Sequence, residues 1–338
     1  MKQCIHDIYK ILDTSYFNIK DKKYEFNLNR LNNYKIQDTN IFIPKTIINW
    51  IDNNIKYNYN SYINIKNRKI NINIYSSKTI NNISNYFFKI EKILLILTNY
   101  SNKDCSKNID IKIYLTPFKK IWDINKPIDV LNVNTGYSTI GCIHHSSLLL
   151  FRQEEWYKVL IHELMHNLNL DFANIYREKY KLILKDNFYV NSKYDLTETY
   201  CEFWARQLNL IIYSYLKIGN KKIFDNFYQI YRFALKKELK FSLQQANKLS
   251  EIIYQSKYNE KTNVFCYYLL TSVLMFYCDN FIKWCKNNNN SLINFKKDNI
   301  NILKFIEFII NKYYTNDFIL NLQKSNTYDM TMKMTIIS

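Results

Sequence analysis

Apolar residues mark out the chain's elements by their spacing. Ile47, Ile48, Ile51 and Ile55 follow Pro44 at helical intervals, and proline suits the first turn of a helix, so residues 44–55 are predicted to be helical. Over residues 62–75 the period falls to two. Ile63 and Ile65, then Ile70, Ile72 and Ile74, alternate with polar residues, which predicts a hairpin with one face on a core. Ile83, Phe87, Ile90, Leu94 and Leu97 return to a helical period, while Ile109, Ile111, Ile113 and Leu115 alternate again. Residues 129–133, after Pro127, read as a further strand. Trp156, Leu160, Leu164 and Leu168 recur every fourth residue and predict a helix with one apolar stripe, with Glu154 and Glu155 in its first turn. Downstream, helices are predicted over 172–185, 196–216, 224–240, 243–254, 263–286 and 300–314. Asn287 to Asn290 form a polar loop, and a frayed tail follows from about Lys324. Residues 1–40 show no clear period. The expected fold class is α+β, with a small mixed sheet ahead of the helix at 156–168 and a mainly helical C-terminal part.

Composition narrows the class. A hydrophobic share of 47% with 17% aromatics excludes a disordered chain, and 338 residues suffice for one large or two ordinary cores. Only 3 Gly and 3 Pro occur, whereas Asn, Ile, Lys and Tyr abound, a usage expected of an AT-rich genome. The same bias accounts for a net charge of +18, because the lysines are scattered along the whole length, and this argues against a nucleic-acid partner. Seven cysteines without a Cys-x-x-Cys pair predict no disulfide framework and a reducing compartment. Charges interrupt the apolar run of residues 1–13, so it does not read as a signal peptide. The longest uncharged run, residues 262–278, is shorter than the roughly 20 residues needed to span a bilayer and reads as a buried helix.

One stretch carries chemistry: His162-Glu163-Leu164-Met165-His166. Histidines four apart on a helix share a face, so both imidazoles can reach one zinc ion. Glu163, one step round, can hold and deprotonate a water without binding the metal itself.

In this motif the chain resembles the zincin metallopeptidases. The metzincin continuation is missing, with Asn169 and Phe172 standing where its glycine and third histidine would be, and no histidine follows His166. A third protein ligand is then a downstream carboxylate or one of His6, His144 and His145. Residues 195–205 are similar to the gluzincin Glu-x-x-x-Glu/Asp pattern. That resemblance implies Glu198 as zinc ligand and Glu202 as the acid that orients a ligand histidine, with the reverse order left open.

The motif and the residue usage together resemble uncharacterised zincin-like proteins of large DNA viruses. The resemblance implies an N-terminal segment over 1–60, a zincin-like catalytic core over 61–216, a helical subdomain over 217–323 and a tail over 324–338. It further implies zinc-dependent hydrolysis of a peptide or protein substrate, in a host cytoplasm or a virion. In the family an edge strand lies just before the active helix, here within residues 134–151, which hold Gly136 and Gly141. Tyr137, Tyr200 and His144 or His145 are candidate donors to the transition state. Two other readings stand beside this one: a catalytically degenerate zincin fold that binds a partner, and a basic nucleic-acid-associated protein in which the motif is incidental. The sequence carries no signal for an oligomeric state.

Overall fold

The alternating isoleucines of residues 62–75 build two strands at the middle of a six-stranded sheet. The computed structural model describes the chain except residues 39, 124, 125, 220–222, 255–257, 328 and 338. Two compact units result, one made of Ile8–Lys120 and Asn134–Leu170, the other of Met1–Asp7, Ile121–Val133 and Asp171–Ile337.

In chain order the elements through the motif are α1 (Lys2–Ile19), β1 (Asn27–Arg30), α2 (Lys45–Asn54), β2 (Tyr57–Ile65), β3 (Arg68–Ser76), α3 (Ile83–Leu97), β4 (Asn108–Tyr114), α4 (Val130–Val133), β5 (Gly136–Ser138), β6 (His145–Leu150) and α5 (Trp156–Asn167). The sheet runs β1-β2-β3-β4-β6-β5. Its β3–β4 and β4–β6 pairs are parallel and the rest antiparallel. Lys66 and Asn67, both at positive φ, form the two-residue turn of the central hairpin, a geometry that matches the twist of the flanking strands.

Strand alternation gives the sheet two unlike faces. Ile72, Ile111, Leu148 and Ser138 lie in one row across β3, β4, β6 and β5, on the buried side where α3 and α5 pack. Asparagines tile the other side. Asn58 donates to Asn73, Asn60 to Asn71 and Asn71 to Asp110, so neighbouring strands are stitched by side chains as well as backbone.

Several expectations need correction. Residues 129–133 make a single helical turn instead of a strand, because the Asp129 carboxylate accepts from Leu131 N at 2.8 Å and turns the backbone. Residues 1–40, unreadable by period, hold α1 and β1. Cysteine usage predicted no disulfide framework, and it did not foresee the single bond between Cys105 and Cys142 across a sequence separation of 37. Ser106 N donates to Ile143 O and Asn108 N to His144 O, which brings their two loops together. The other five cysteines are buried and not disulfide-bonded.

The second unit is helical: α6 (Glu178–Phe188), α7 (Leu196–Lys217), α8 (Phe224–Ile253), a π-helical stretch Phe265–Leu270 leading into α9 (Thr271–Phe276), α10 (Cys278–Asn288), α11 (Asn299–Tyr313) and α12 (Asn316–Gln323). The two helices predicted over 224–240 and 243–254 are one. The single helix predicted over 263–286 is instead two, bent by 92° at Tyr277. Among the described residues no single helix is long and apolar enough to cross a membrane.

A buried ion pair joins α7 to α8, with Arg206 Nε 2.8 Å from Glu238 Oε1 and the guanidinium also reaching Ser242. The second carboxylate oxygen accepts from Ile336 N, Tyr268 donates to Met332 O and Asn209 donates to Ile337 O. The stretch expected to fray is therefore pinned over its last residues, with Met332 and Thr335 fully buried.

Candidate metal centre

The motif helix is fixed at both ends. At its start Glu155 has φ 57 and its carboxylate meets Lys120 Nζ at 2.7 Å, a pair with almost no solvent exposure. Glu154 and Glu155 thus precede α5 and do not form its first turn. At its end Asn169 takes the left-handed conformation (φ 54), Asn169 N donates to His166 O and Leu170 N donates to Met165 O. That is a Schellman stop, with asparagine in the place glycine usually takes. Every residue from Tyr157 to Asn167 is buried, so α5 is enclosed on all faces and not along one stripe alone.

Inside this helix the two imidazoles converge. His162 Nε2 and His166 Nε2 lie 3.2 Å apart and both rings are buried. Two zinc–nitrogen bonds of roughly 2.0–2.1 Å at a tetrahedral angle place their nitrogens roughly 3.3–3.4 Å apart, so the observed spacing fits zinc. Glu163 is also buried, and its Oε2 accepts a 2.8 Å hydrogen bond from Ser138 Oγ on β5. No protein-family model, curated protein or solved structure matches this chain. Its chemistry is therefore read from this geometry.

The predicted acids sit on α7. Asp195 caps the helix, accepting from Thr197 N at 3.1 Å, which puts Glu198 in the first turn and Glu202 one turn on. Glu198 is half-buried and Glu202 buried. His162 and His166 belong to one compact unit, and Asp171, Glu198, Cys201 and Glu202 to the other. Cys201 Sγ donates to Asp171 Oδ2 at 3.7 Å, consistent with a packed thiol. Nitrogen, nitrogen and carboxylate oxygen are donors that zinc accepts.

Other named residues fall elsewhere. His144 and His145 are exposed and stack on one another with ring centroids 4.6 Å apart, while His6 packs on Phe224. Tyr200 is buried, donates to Ile293 O, and is held well above its ordinary pKa by that burial. Tyr137 follows Gly136 on β5, so its side chain leaves the opposite sheet face from Ser138, towards Phe42. Burial, then Asp38 and then Glu163, push its phenol upward, so it stays protonated. Sequence reading passed over Ser138 and Asp171. Strand alternation two residues after Gly136 was the available signal for Ser138; Asp171 had none beyond its position just past the helix stop.

Proposed function

We propose that this protein is a zinc-dependent peptidase of zincin type. In this reading His162, His166 and Glu198 hold the metal, Glu202 orients a ligand histidine and Glu163 is the general base. The observation that carries it is the pair of buried imidazoles with Nε2 atoms 3.2 Å apart on the helix that also presents Glu163. Zinc, when bound, supplies Lewis acidity that polarises a carbonyl and acidifies a water. The chain's own residues do the rest. Glu163 takes a proton from the attacking water and returns it to the departing amine, which needs a carboxylate fixed close to the reacting atoms. The Schellman stop and the Lys120–Glu155 pair keep the helix carrying all three motif residues rigid.

A peptide or protein is the substrate class, because a base that can protonate an amine leaving group suits amide cleavage. The degenerate, partner-binding alternative gives no reason for a serine to hold the base in place. A nucleic-acid role finds no support in the scattered lysines.

Purified protein is expected to carry roughly one zinc per chain, and the His162→Ala, His166→Ala double variant to lose it. Glu163→Gln should keep zinc and lose hydrolysis of a quenched fluorescent peptide library. Equal zinc in the wild type and the double variant sinks the site; hydrolysis that survives Glu163→Gln sinks the mechanism.

A further inference from the structure

Glu163 is a flexible side chain asked to keep one geometry. Fixing a glutamate side chain costs it rotamer entropy, so something must hold it. Ser138 does so from the sheet, its Oγ donating to Oε2 at 2.8 Å.

Ser138 arrives there by sheet geometry. It pairs with Leu148, in the row of Ile72 and Ile111, and so points at the face covered by α5. Gly136, two residues earlier on that face, pairs with Leu150. A Cβ on it would lie 2.4 Å from Leu150 Cδ2 and 2.8 Å from Leu149 O. The missing side chain lets β5 lie close against β6 and brings the Ser138 hydroxyl within reach of α5.

We propose that Ser138 is a positioning residue that, through its hydroxyl, fixes the carboxylate of Glu163 for proton transfer. This rests on the zinc peptidase reading and adds a residue to it. The serine does not touch substrate or metal; it acts through the base. A misplacement of about 1 Å at a reacting group can cost on the order of 100-fold, and loss of a supporting hydrogen bond at a metal site typically costs about 10- to 100-fold.

The test uses the zinc-loaded wild-type protein with Ser138→Ala, Ser138→Thr and Glu163→Gln. The probe is acetohydroxamate, a small zinc chelator that also hydrogen-bonds to the base carboxylate. Zinc content and thermal melting are measured first, then acetohydroxamate affinity by titration calorimetry. Ser138→Ala should hold zinc and melt like the wild type but bind the probe about 10-fold more weakly, in the direction of Glu163→Gln, and Ser138→Thr should restore binding by restoring the hydroxyl. With a cleavable peptide, the loss should appear in kcat with KM little changed. Unchanged acetohydroxamate affinity in Ser138→Ala at equal zinc overturns the proposal, as does a threonine variant that binds no better than alanine. Absence of zinc in every protein is seen before the probe is added. It brings down the peptidase reading, and this inference with it.

Discussion

Glu198 and Glu202 are four residues apart on one helix, yet their surroundings ask different things of them. Glu198 lies in the first turn of α7, where a carboxylate complements the helix dipole even with no metal present. Glu202 is buried, where a carboxylate persists only with a partner. If Glu198 binds zinc directly, Glu198→Ala should weaken zinc affinity more than Glu202→Ala, which should cost about 10- to 100-fold. Zinc dissociation constants for the two variants decide the order. A larger loss at Glu202 exchanges the roles, and no loss at either moves the third ligand elsewhere. The histidines were legible in sequence because i, i+4 spacing on a helix is local. The Ser138–Glu163 bond was not, since it spans 25 residues and depends on how β5 lies against α5. Glycine scarcity hid other positions. Glu155, Asn169, Tyr189 and Tyr194 all take positive φ, where glycine would have announced a turn.

Among the elements, the edge strand is the most sensitive. Gly136→Ala places a methyl group against Leu150 and the Leu149 carbonyl, and overpacking of this kind costs typically about 1–3 kcal/mol. The variant is expected to melt below the wild type and to bind acetohydroxamate more weakly, because Ser138 moves with the strand. Unchanged melting and probe affinity would show that β5 is free to relax. Period alone read the central hairpin, α2 and β4 well, because each buries one face with a regular repeat, whereas α3 and α7, though found, are buried on more than one face. It failed at element ends. α8 continues through Lys240, Phe241 and Ser242 with no breaker present, and the bend at Tyr277 falls inside an apolar run that no glycine or proline punctuates. Tertiary packing sets those ends, and a single sequence does not display it.

For the molecule as a whole, composition was a fair guide to the surface and a poor one to the interior. Reading the lysines as surface filler overlooks Lys92, Lys120 and Lys158, which are buried, and Lys120 anchors the motif helix. Cysteine count likewise missed the Cys105–Cys142 bond, since chain spacing says nothing of two loops meeting at one end of β4 and β6. The Arg206–Glu238 pair has a meaning beyond the strength of the contact. Buried ion pairs add little net stability over apolar replacements, while removing one partner alone costs about 3–5 kcal/mol. The pair therefore selects a register: α7 and α8 present long apolar faces that could slip by one turn, about 5.4 Å, and only one alignment puts the guanidinium opposite its acid. Replacing both residues by Met and Leu is expected to leave the melting temperature near that of the wild type but to broaden methyl NMR signals along both helices. Sharp, single signals would show that side-chain shape already suffices. Otherwise the pair's contribution is uniqueness, keeping the helix that bears Glu198 and Glu202 from existing in two phases.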